Sequence, residues 1–226
     1  MTGFIAPVDK PAGMSSFQVI SALRKLTGFK KVGHAGTLDP EATGLLLIAF
    51  GDSTKQLTRL LKLDKTYLAT ITLGSVSTTE DKEGEITTIS AIVPEKAEVE
   101  AALNHFTGKT MQVPSAYSAL KINGQRAYTL AREGRPAAIE PREININQLS
   151  IVDYSYPNLK IEVECSSGTY IRALARDIGV RLKTGAYLSN LSRIKIGPYR
   201  LDEAVSLEEA DPQRLEQAAI TLEKLA

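Results

Sequence analysis

The spacing of apolar residues predicts a chain that mixes strands with helices. Residues 45–49 form a continuous apolar run, which is typical of a strand buried on both faces. Residues 67–73 alternate apolar and polar side chains, which is typical of a strand with one buried face. Further strands are predicted at residues 4–8, 144–154 and 159–165, and a closing strand pair is predicted at residues 186–191 and 194–200.

Helical spacing recurs in the segments between these strands. It predicts helices at residues 16–26, 55–63, 95–106, 125–133, 170–182 and 213–225. In the first of them Ser16 is the predicted cap and Gly28 follows the predicted end. Its predicted buried face consists of Phe17, Ile20, Leu23 and Leu26. Because strands and helices intermix without the regular alternation of a doubly wound sheet, the pattern predicts an α+β fold.

The composition is that of a globular protein and argues against several function classes. A chain of 226 residues, 43% of them hydrophobic, can bury a substantial core. No apolar run is long enough to span a bilayer and the first residues do not resemble a signal peptide, so we expect a cytoplasmic protein without membrane association. Cys165 is the single cysteine, and the two histidines provide no zinc-ligand spacing, so neither a disulfide nor a metal is expected.

The net charge is only +1, but the charges are unevenly distributed. Basic residues outnumber acidic ones in residues 121–142 and 160–200, and Lys25, Lys30 and Lys31 form a further basic group. Residues 202–226 carry an acidic excess. Basic segments can hold the phosphates of RNA, and solvated helix faces are the alternative explanation for each of them.

Residues 33–44 carry the most distinctive chemistry, and they read Gly-His-Ala-Gly-Thr-Leu-Asp-Pro-Glu-Ala-Thr-Gly. Asp39 lies among glycines and directly precedes Pro40, which biases the backbone of Asp39 toward an extended conformation. A carboxylate fixed in this way beside a buried strand suits a nucleophile or a general base. A surface turn in which Asp39 only caps backbone amides is the alternative, and spacing alone favours that turn.

This loop resembles the catalytic motif of the TruB family of pseudouridine synthases, which reads G-H-x-G-T-L-D-P-x-A-T-G-[LV]-L. The resemblance extends over about residues 4–200. Residues 8–16 are similar to the family's D-K-P-x-G-x-[ST]-S segment, and residues 65–67 to its K-x-Y segment. Residues 114–134 are similar to a segment that starts P-P-x-Y-S-A-x-K, with Ser115 in place of the second proline, and residues 165–177 to C-[ST]-x-G-T-Y-I-R-[ST]-L-x-x-D.

The resemblance implies the domain organisation. It implies a pseudouridine synthase core, which is a mixed and mostly antiparallel sheet flanked by helices. The catalytic domain would span residues 1–200 and contain an inserted RNA-gripping segment at about residues 114–143, for which an ordinary surface insertion is the alternative. Residues 201–226 would be an acidic helical tail, too short for the C-terminal PUA domain of many bacterial members, so we expect a short form without that domain.

The resemblance also implies roles for site residues. Asp39 would be the catalytic aspartate, Tyr67 would stack on the target base and act as general base, and Arg172 would pair with Asp39 and keep it ionised. Without the family, the pattern favours Tyr67 as a tyrosine packed in the core on a strand, and Arg172 as a surface arginine on an amphipathic helix is the alternative.

Further residues are implied to bind the substrate. His34 would stack into the gap that the flipped base leaves, although a loop histidine bonded to backbone is the alternative. Tyr170 and Leu191 would line the uracil pocket. Lys10 would contact a phosphate or the cleft rim, and Asp81 would help to organise the pocket.

The function implied by the resemblance is the isomerisation of the T-loop uridine 55 of tRNA to pseudouridine after base flipping, with no cofactor and no metal. The partner would be the T-arm stem-loop of tRNA; no protein partner is implied, and we expect a monomer. Two alternatives stay open. One is a tRNA-binding or tRNA-folding module without catalysis, and the other is a pseudouridine synthase that acts on another RNA.

Overall fold

The computed structural model describes residues 3–118, 120–122, 124–135 and 138–221. The strands are β1 (Ile5–Lys10), β2 (Val32–His34), β3 (Thr43–Phe50), β4 (Lys65–Leu73), β5 (Ser75–Ser77), β6 (Ile86–Thr88), β7 (Gly108–Gln112), β8 (Lys121–Ile122), β9 (Gln125–Arg126), β10 (Arg142–Ser155), β11 (Asn158–Cys165), β12 (Ala186–Ile196), β13 (Tyr199–Arg200) and β14 (Val205–Ser206). The helices are α1 (Ser16–Thr27), α2 (Leu57–Leu61), α3 (Lys96–Phe106), α4 (Ala127–Arg132), α5 (Ile171–Arg181) and α6 (Pro212–Gln217).

The chain folds as two compact units. The first unit comprises Met1–Leu68 and Leu191–Ala226, and the second comprises Ala69–Asn190. Along the chain, β4 and β12 each begin in one unit and end in the other. No helix within the described ranges has the length and apolar character needed to cross a bilayer.

Strand β3 is the centre of the first unit. It is antiparallel to β1 along nearly its whole length, while its other edge pairs with β12 in parallel at its start and with β2 at its end. One face of β3 packs in a cluster with α1, and the opposite face packs with α2 and β13. Every residue from Gly44 to Phe50 is buried, which confirms the prediction of a strand covered on both faces.

The second unit contains a sheet with the strand order β12-β4-β11-β10-β7. Strands β10 and β11 form a long antiparallel hairpin, and β7 is antiparallel to the other edge of β10. The predicted alternation in β4 is confirmed, because Tyr67, Ala69, Ile71 and Leu73 are buried. Residues 119, 123, 136 and 137 of the predicted insertion lie outside the described residues.

The predicted buried face of α1 is wrong at two of its four positions. Phe17 and Leu26 are 68% and 43% exposed, and the buried side chains are Ser16, Val19, Ile20 and Leu23. Ser15 is the cap, while Ser16 is the first helical residue. Ser16 is buried because its hydroxyl satisfies backbone groups of the loop that contains Asp39, so a polar residue occupies a position that the apolar pattern assigned to Phe17.

Three further element predictions differ from the structure. The helix predicted at residues 55–63 is a 3₁₀ turn at Gly51–Gln56 followed by the short α2. The predicted strand pair at residues 186–200 is one strand, β12, which turns back only at Gly197, where φ is +52°. The predicted terminal helix is limited to α6, and its predicted end at residues 222–226 lies outside the described residues.

Gly44 permits the close approach of β3 to β12, and its replacement should show how tightly the two strands are packed. Its φ is +102°, and a Cβ there would lie 2.4 Å from the carbonyl oxygen of Arg193. We expect Gly44→Ala to lower the free energy of unfolding by about 3 kcal/mol or more, measured by urea denaturation. Gly28→Ala is the control, because φ is +75° there but the space is open, and about 1 kcal/mol is expected. Equal losses for the two variants would contradict this description of the β3–β12 contact.

Candidate active site

The loop that contains Asp39 connects the end of β2 to the start of β3. Ala35, Leu38 and Ala42 are buried, Asp39 is half-buried, and the neighbouring Pro40 is exposed. The backbone N–H of Ala42 donates to the carbonyl oxygen of Asp39 at 3.2 Å, which closes a tight turn at the two residues directly after Asp39. Short apolar side chains therefore hold both ends of the loop in the core, while Asp39 lies at its partly accessible apex.

Lys10, at the end of β1, anchors the turn directly after Asp39. Its side chain is fully buried, and its Nζ donates to the carbonyl oxygens of Pro11, Met14 and Pro40 at 2.7, 2.6 and 2.9 Å. The N–H of Gly13 donates to the same Pro40 oxygen at 3.0 Å. An ammonium group has three N–H donors and all three are used here. The predicted contact of Lys10 with a phosphate stays a prediction, and it would require one of these bonds to be exchanged.

Ser16, at the start of α1, anchors the residue directly before Asp39. Its Oγ donates to the carbonyl oxygen of Leu38 at 3.0 Å and accepts from the Leu38 N–H at 2.9 Å. Both backbone groups of Leu38 are thus satisfied by one side chain. Asp39 is held between Leu38 and Pro40, and both neighbours are tied to the segment that connects β1 to α1.

Arg193, on β12, holds the two ends of the loop and is only 1% exposed. Its Nε donates to the carbonyl oxygen of Leu45 at 2.8 Å, and its NH2 donates to that of Gly36 at 3.1 Å. In the sequence, Arg193 is recognisable only as one member of the basic segment at residues 160–200. The apolar pattern gives no signal for it, because its role arises from the pairing of Arg193 with Gly44 across β12 and β3.

Two buried cations therefore lie around one loop, and the repulsion by Arg193 affects the pKa of Lys10. Burial lowers the pKa of Lys10, and repulsion by Arg193 acts in the same direction, whereas the carboxylates of Glu41 and Asp39 oppose the shift. Positive charge in a poorly solvated region favours the ionised form of a nearby carboxylate. This environment suits an Asp39 side chain that acts as a carboxylate.

The first unit also holds the predicted His34, Tyr67 and Leu191. His34 ends β2, and its buried Nδ1 has no hydrogen-bond partner among the described residues. Burial lowers the pKa of His34, the backbone of Gly36 partly opposes this, and Arg193 lowers the pKa further. Tyr67 lies on β4 with 9% of its surface exposed, and Leu191 lies on β12, half-buried. The substrate contacts predicted for these three residues stay predictions.

The predicted site residues Arg172 and Asp81 both lie in the second unit, where they form a salt bridge. Arg172 is in the first turn of α5, and its NH1 donates to Asp81 Oδ2 at 3.1 Å in a pair whose side chains are 9% and 15% exposed. The same NH1 lies 3.4 Å from the carbonyl oxygen of Thr79, and NH2 donates to that of Tyr117 at 2.8 Å. Arg172 is thus a buried, paired arginine rather than the surface arginine of the alternative interpretation. Its predicted pairing with Asp39 stays a prediction.

Tyr170 directly precedes α5 and is fixed through its backbone. The side chain of Gln112 accepts from the Tyr170 N–H at 2.9 Å and donates to the Tyr170 carbonyl oxygen at 3.1 Å. Gln112 is 3% exposed, so this amide belongs to the core and sets where α5 begins. The backbone position of Arg172, two residues further on, follows from the same contact.

Comparison with known proteins decides the family. Residues 24–171 match the TruB family pseudouridylate synthase (N terminal domain), a range that includes Asp39 and covers more than half of the chain. The chain belongs to the TruB family. This confirms the resemblance on which the sequence analysis relied.

Several TruB-family relatives align with almost the whole chain. The tRNA pseudouridine synthase B of Mycobacterium sp. (strain KMS) is 46% identical over 221 residues, which are 94% of this chain and 74% of that protein. That of Clostridium novyi (strain NT) is 41% identical over 220 residues, covering 97% of this chain and 76% of that protein. The chain thus spans about three quarters of the length of these relatives.

Among solved structures, a chain of a Cbf5-Nop10-Gar1 complex has a TM-score of 0.75 and 25% identity, over 98% of this chain and 60% of that chain. The likeness confirms the expected pseudouridine synthase fold, a mixed sheet flanked by helices. The correct prediction of β3, β10 and β11 from the apolar pattern is consistent with that fold.

The lowered pKa of His34 predicts that acid destabilises the fold through this residue. The unfolded chain takes up a proton on His34 near the ordinary pKa of 6.5, whereas the folded chain resists it. Stability therefore falls as the pH drops below 6.5, and His34 contributes nothing to this dependence above about pH 7.5. We expect His34→Gln to flatten the pH dependence of the free energy of unfolding between about pH 7 and pH 5.

The matched control is His105→Gln on α3, where the side chain is exposed. This variant should retain the pH dependence of the wild type. If urea denaturation gives the same pH dependence for the wild type and His34→Gln, the lowered pKa of His34 in the folded chain is wrong.

Proposed function

We propose that this chain converts uridine to pseudouridine in tRNA, at uridine 55 of the T-loop. The observation that carries the proposal is the TruB-family match across residues 24–171, together with a loop whose backbone is held on both sides of Asp39. The relatives named tRNA pseudouridine synthase B cover 94–97% of the chain, which supports tRNA as the substrate.

The reaction breaks the N1–C1′ bond of uridine and joins C1′ to C5 of the same base. It is an isomerisation with no net oxidation or reduction, so it needs positioned groups rather than a redox partner. In the proposal Asp39 acts as a carboxylate, either as a nucleophile toward the nucleoside or as the base that removes a proton from the sugar. Each of these routes requires Asp39 to be ionised and close to the nucleoside, and the choice among them stays open.

The other predicted residues have supporting roles in the proposal. Tyr67 stacks on the target base and moves protons, while Tyr170 and Leu191 line the uracil pocket. Arg172 stabilises the catalytic carboxylate, and its existing pair with Asp81 supports this role because the pair already fixes the guanidinium in a buried position. His34 occupies the gap in the RNA stack once the base has been flipped out.

The proposed partner is the T-arm stem-loop, which is bound by a monomer in the cytoplasm. Exposed basic residues just before the Asp39 loop, Lys25, Lys30 and Lys31, support an RNA partner. Lys10 is proposed to act through the backbone of the Asp39 loop, because its ammonium joins the carbonyl oxygen of Pro40 to those of Pro11 and Met14 in the segment between β1 and α1. The inserted segment at about residues 114–143 is proposed to contribute to RNA binding.

Asp39→Asn should abolish the reaction while leaving the fold intact. Asparagine keeps the size of the side chain but loses its charge and nucleophilicity, so we expect the rate to fall by at least about a thousandfold. The measurement is the release of tritium from C5 of uridine in a labelled tRNA transcript. The control is Glu41→Gln, which removes a carboxylate from the same loop and should retain activity within about threefold.

Equal release by the wild type and Asp39→Asn would contradict the catalytic role of Asp39. Binding of tRNA by a wild-type chain that releases no tritium would instead favour an RNA-binding module. Release only from ribosomal or messenger RNA fragments would favour a synthase that acts on another RNA.

A further inference from the structure

Helix α5 carries two arginines, one turn apart, that reach the same acidic turn. Arg172 NH1 donates to Asp81 Oδ2 at 3.1 Å, and Arg176 NH1 donates to Glu80 Oε1 at 2.6 Å. The side chains of the second pair are 30% and 17% exposed, so Arg176 and Glu80 lie nearer to the surface than the first pair. Successive arginines on one helix face thus hold successive carboxylates.

Both arginines also reach a second segment, at the start of the predicted insertion. Arg172 NH2 donates to the carbonyl oxygen of Tyr117 at 2.8 Å, and Arg176 NH2 donates to that of Val113 at 2.9 Å. The Nε of Arg176 donates to Asp177 at 2.9 Å. Each of the three nitrogens of Arg176 therefore has a protein acceptor, and the side chain connects α5 to the acidic turn and to the segment at Val113.

Glu80 has an unusual backbone conformation, which surrounding contacts must stabilise. Its φ is +65°, in the left-handed region that non-glycine residues rarely adopt. Its N–H donates to the Ser77 carbonyl oxygen at 3.1 Å, and its own carbonyl oxygen accepts from the Leu188 N–H at 2.9 Å. Its Oε2 is buried without a hydrogen-bond partner among the described residues. A strained backbone with a partly satisfied carboxylate persists only where surrounding contacts hold it.

The conformation of this turn determines how Asp81 faces Arg172. Asp81 Oδ1 accepts from Thr79 Oγ1 at 2.5 Å and from the Glu83 N–H at 3.0 Å, which leaves Oδ2 for Arg172. Glu80 lies between Thr79 and Asp81, so a change at Glu80 alters both of the groups that Arg172 NH1 contacts. The outer pair therefore controls the geometry of the inner one.

We propose that Arg176 is a positioning residue for the reaction. Through Glu80 and the carbonyl oxygen of Val113 it fixes the acidic turn and the 113–117 segment, and so it keeps Arg172 in the geometry that its catalytic role requires. This inference rests on the proposed function. It concerns the chemical step, because Arg176 contacts the acidic turn and the 113–117 segment, and both of these also bind Arg172.

The test measures the rate of pseudouridine formation in a single turnover, with the enzyme in excess over the T-arm RNA and at a concentration well above the Kd. The Kd for that RNA is measured separately. We expect Arg176→Gln to lower the single-turnover rate about tenfold while the Kd changes less than about twofold. Arg176→Lys keeps one charged donor and should recover about a third of the lost rate or more. Circular dichroism and thermal unfolding establish that each variant is folded at the assay temperature.

Two further variants separate positioning from a general loss of stability. Glu80→Gln should lower the rate about threefold, and the double variant Arg176→Gln/Glu80→Gln should match Arg176→Gln alone within about twofold, because both changes break one pair. Arg181→Gln is the control: Arg181 is an exposed arginine on the same helix, and the rate should stay within about twofold of the wild type.

The outcomes distinguish this inference from the proposed function. If the wild type is active and Arg176→Gln reacts at the wild-type rate, or if the losses of the two single variants multiply in the double variant, Arg176 does not position the site. A change in Kd with no change in rate would likewise overturn the inference, in favour of a binding role. If the wild-type chain forms no pseudouridine at all, the proposed function fails and the role of Arg176 in it fails with it.

Discussion

Buried donors that bind the backbone of the Asp39 loop are the constraint on which the rest of the first unit depends. Carbonyl oxygens that lose water on burial must be paired, at about 1–3 kcal/mol for each one left unpaired. Lys10 and Arg193 between them pair five such oxygens around the loop. A buried ammonium is costly unless every donor is used, so the position of Lys10 and the shape of the loop determine each other.

The same principle operates in the second unit with a different side chain. There, both donors are arginines, and each planar guanidinium holds a carboxylate and a carbonyl oxygen at once. Arg172 does so with Asp81 and Tyr117, and Arg176 with Glu80 and Val113. Each unit thus fixes one set of candidate catalytic groups through contacts that the unit itself provides.

The apolar pattern predicted the elements whose side chains are buried in regular rows. The continuous apolar run in β3 and the alternation in β4 were sufficient to predict these two strands. Each pattern follows directly from which faces of the strand are covered. The pattern failed where a polar residue replaces an apolar one in the core. Ser16 is buried on α1 because of its bonds to Leu38, and Phe17 is correspondingly exposed.

The residues of the candidate site, too, were predicted only in part. Asp39 and Arg172 were found through a motif, and the structure adds the buried pair of Arg172 with Asp81. The contacts of Arg193 and Arg176 could not be found from the sequence, because their acceptors lie far away in the chain and include backbone carbonyl oxygens. Any residue can supply a backbone carbonyl oxygen, so the order of residue types does not reveal which one accepts the bond.

The central claim is that the carboxylate of Asp39 makes pseudouridine at one uridine of tRNA. The most direct measurement is site-resolved pseudouridine mapping of total RNA from a strain whose chromosomal copy encodes Asp39→Asn. We expect pseudouridine to disappear from the T-loop uridine 55 of tRNAs and to persist at other sites. Unchanged pseudouridine at that position, or a loss confined to ribosomal or messenger RNA, would contradict it.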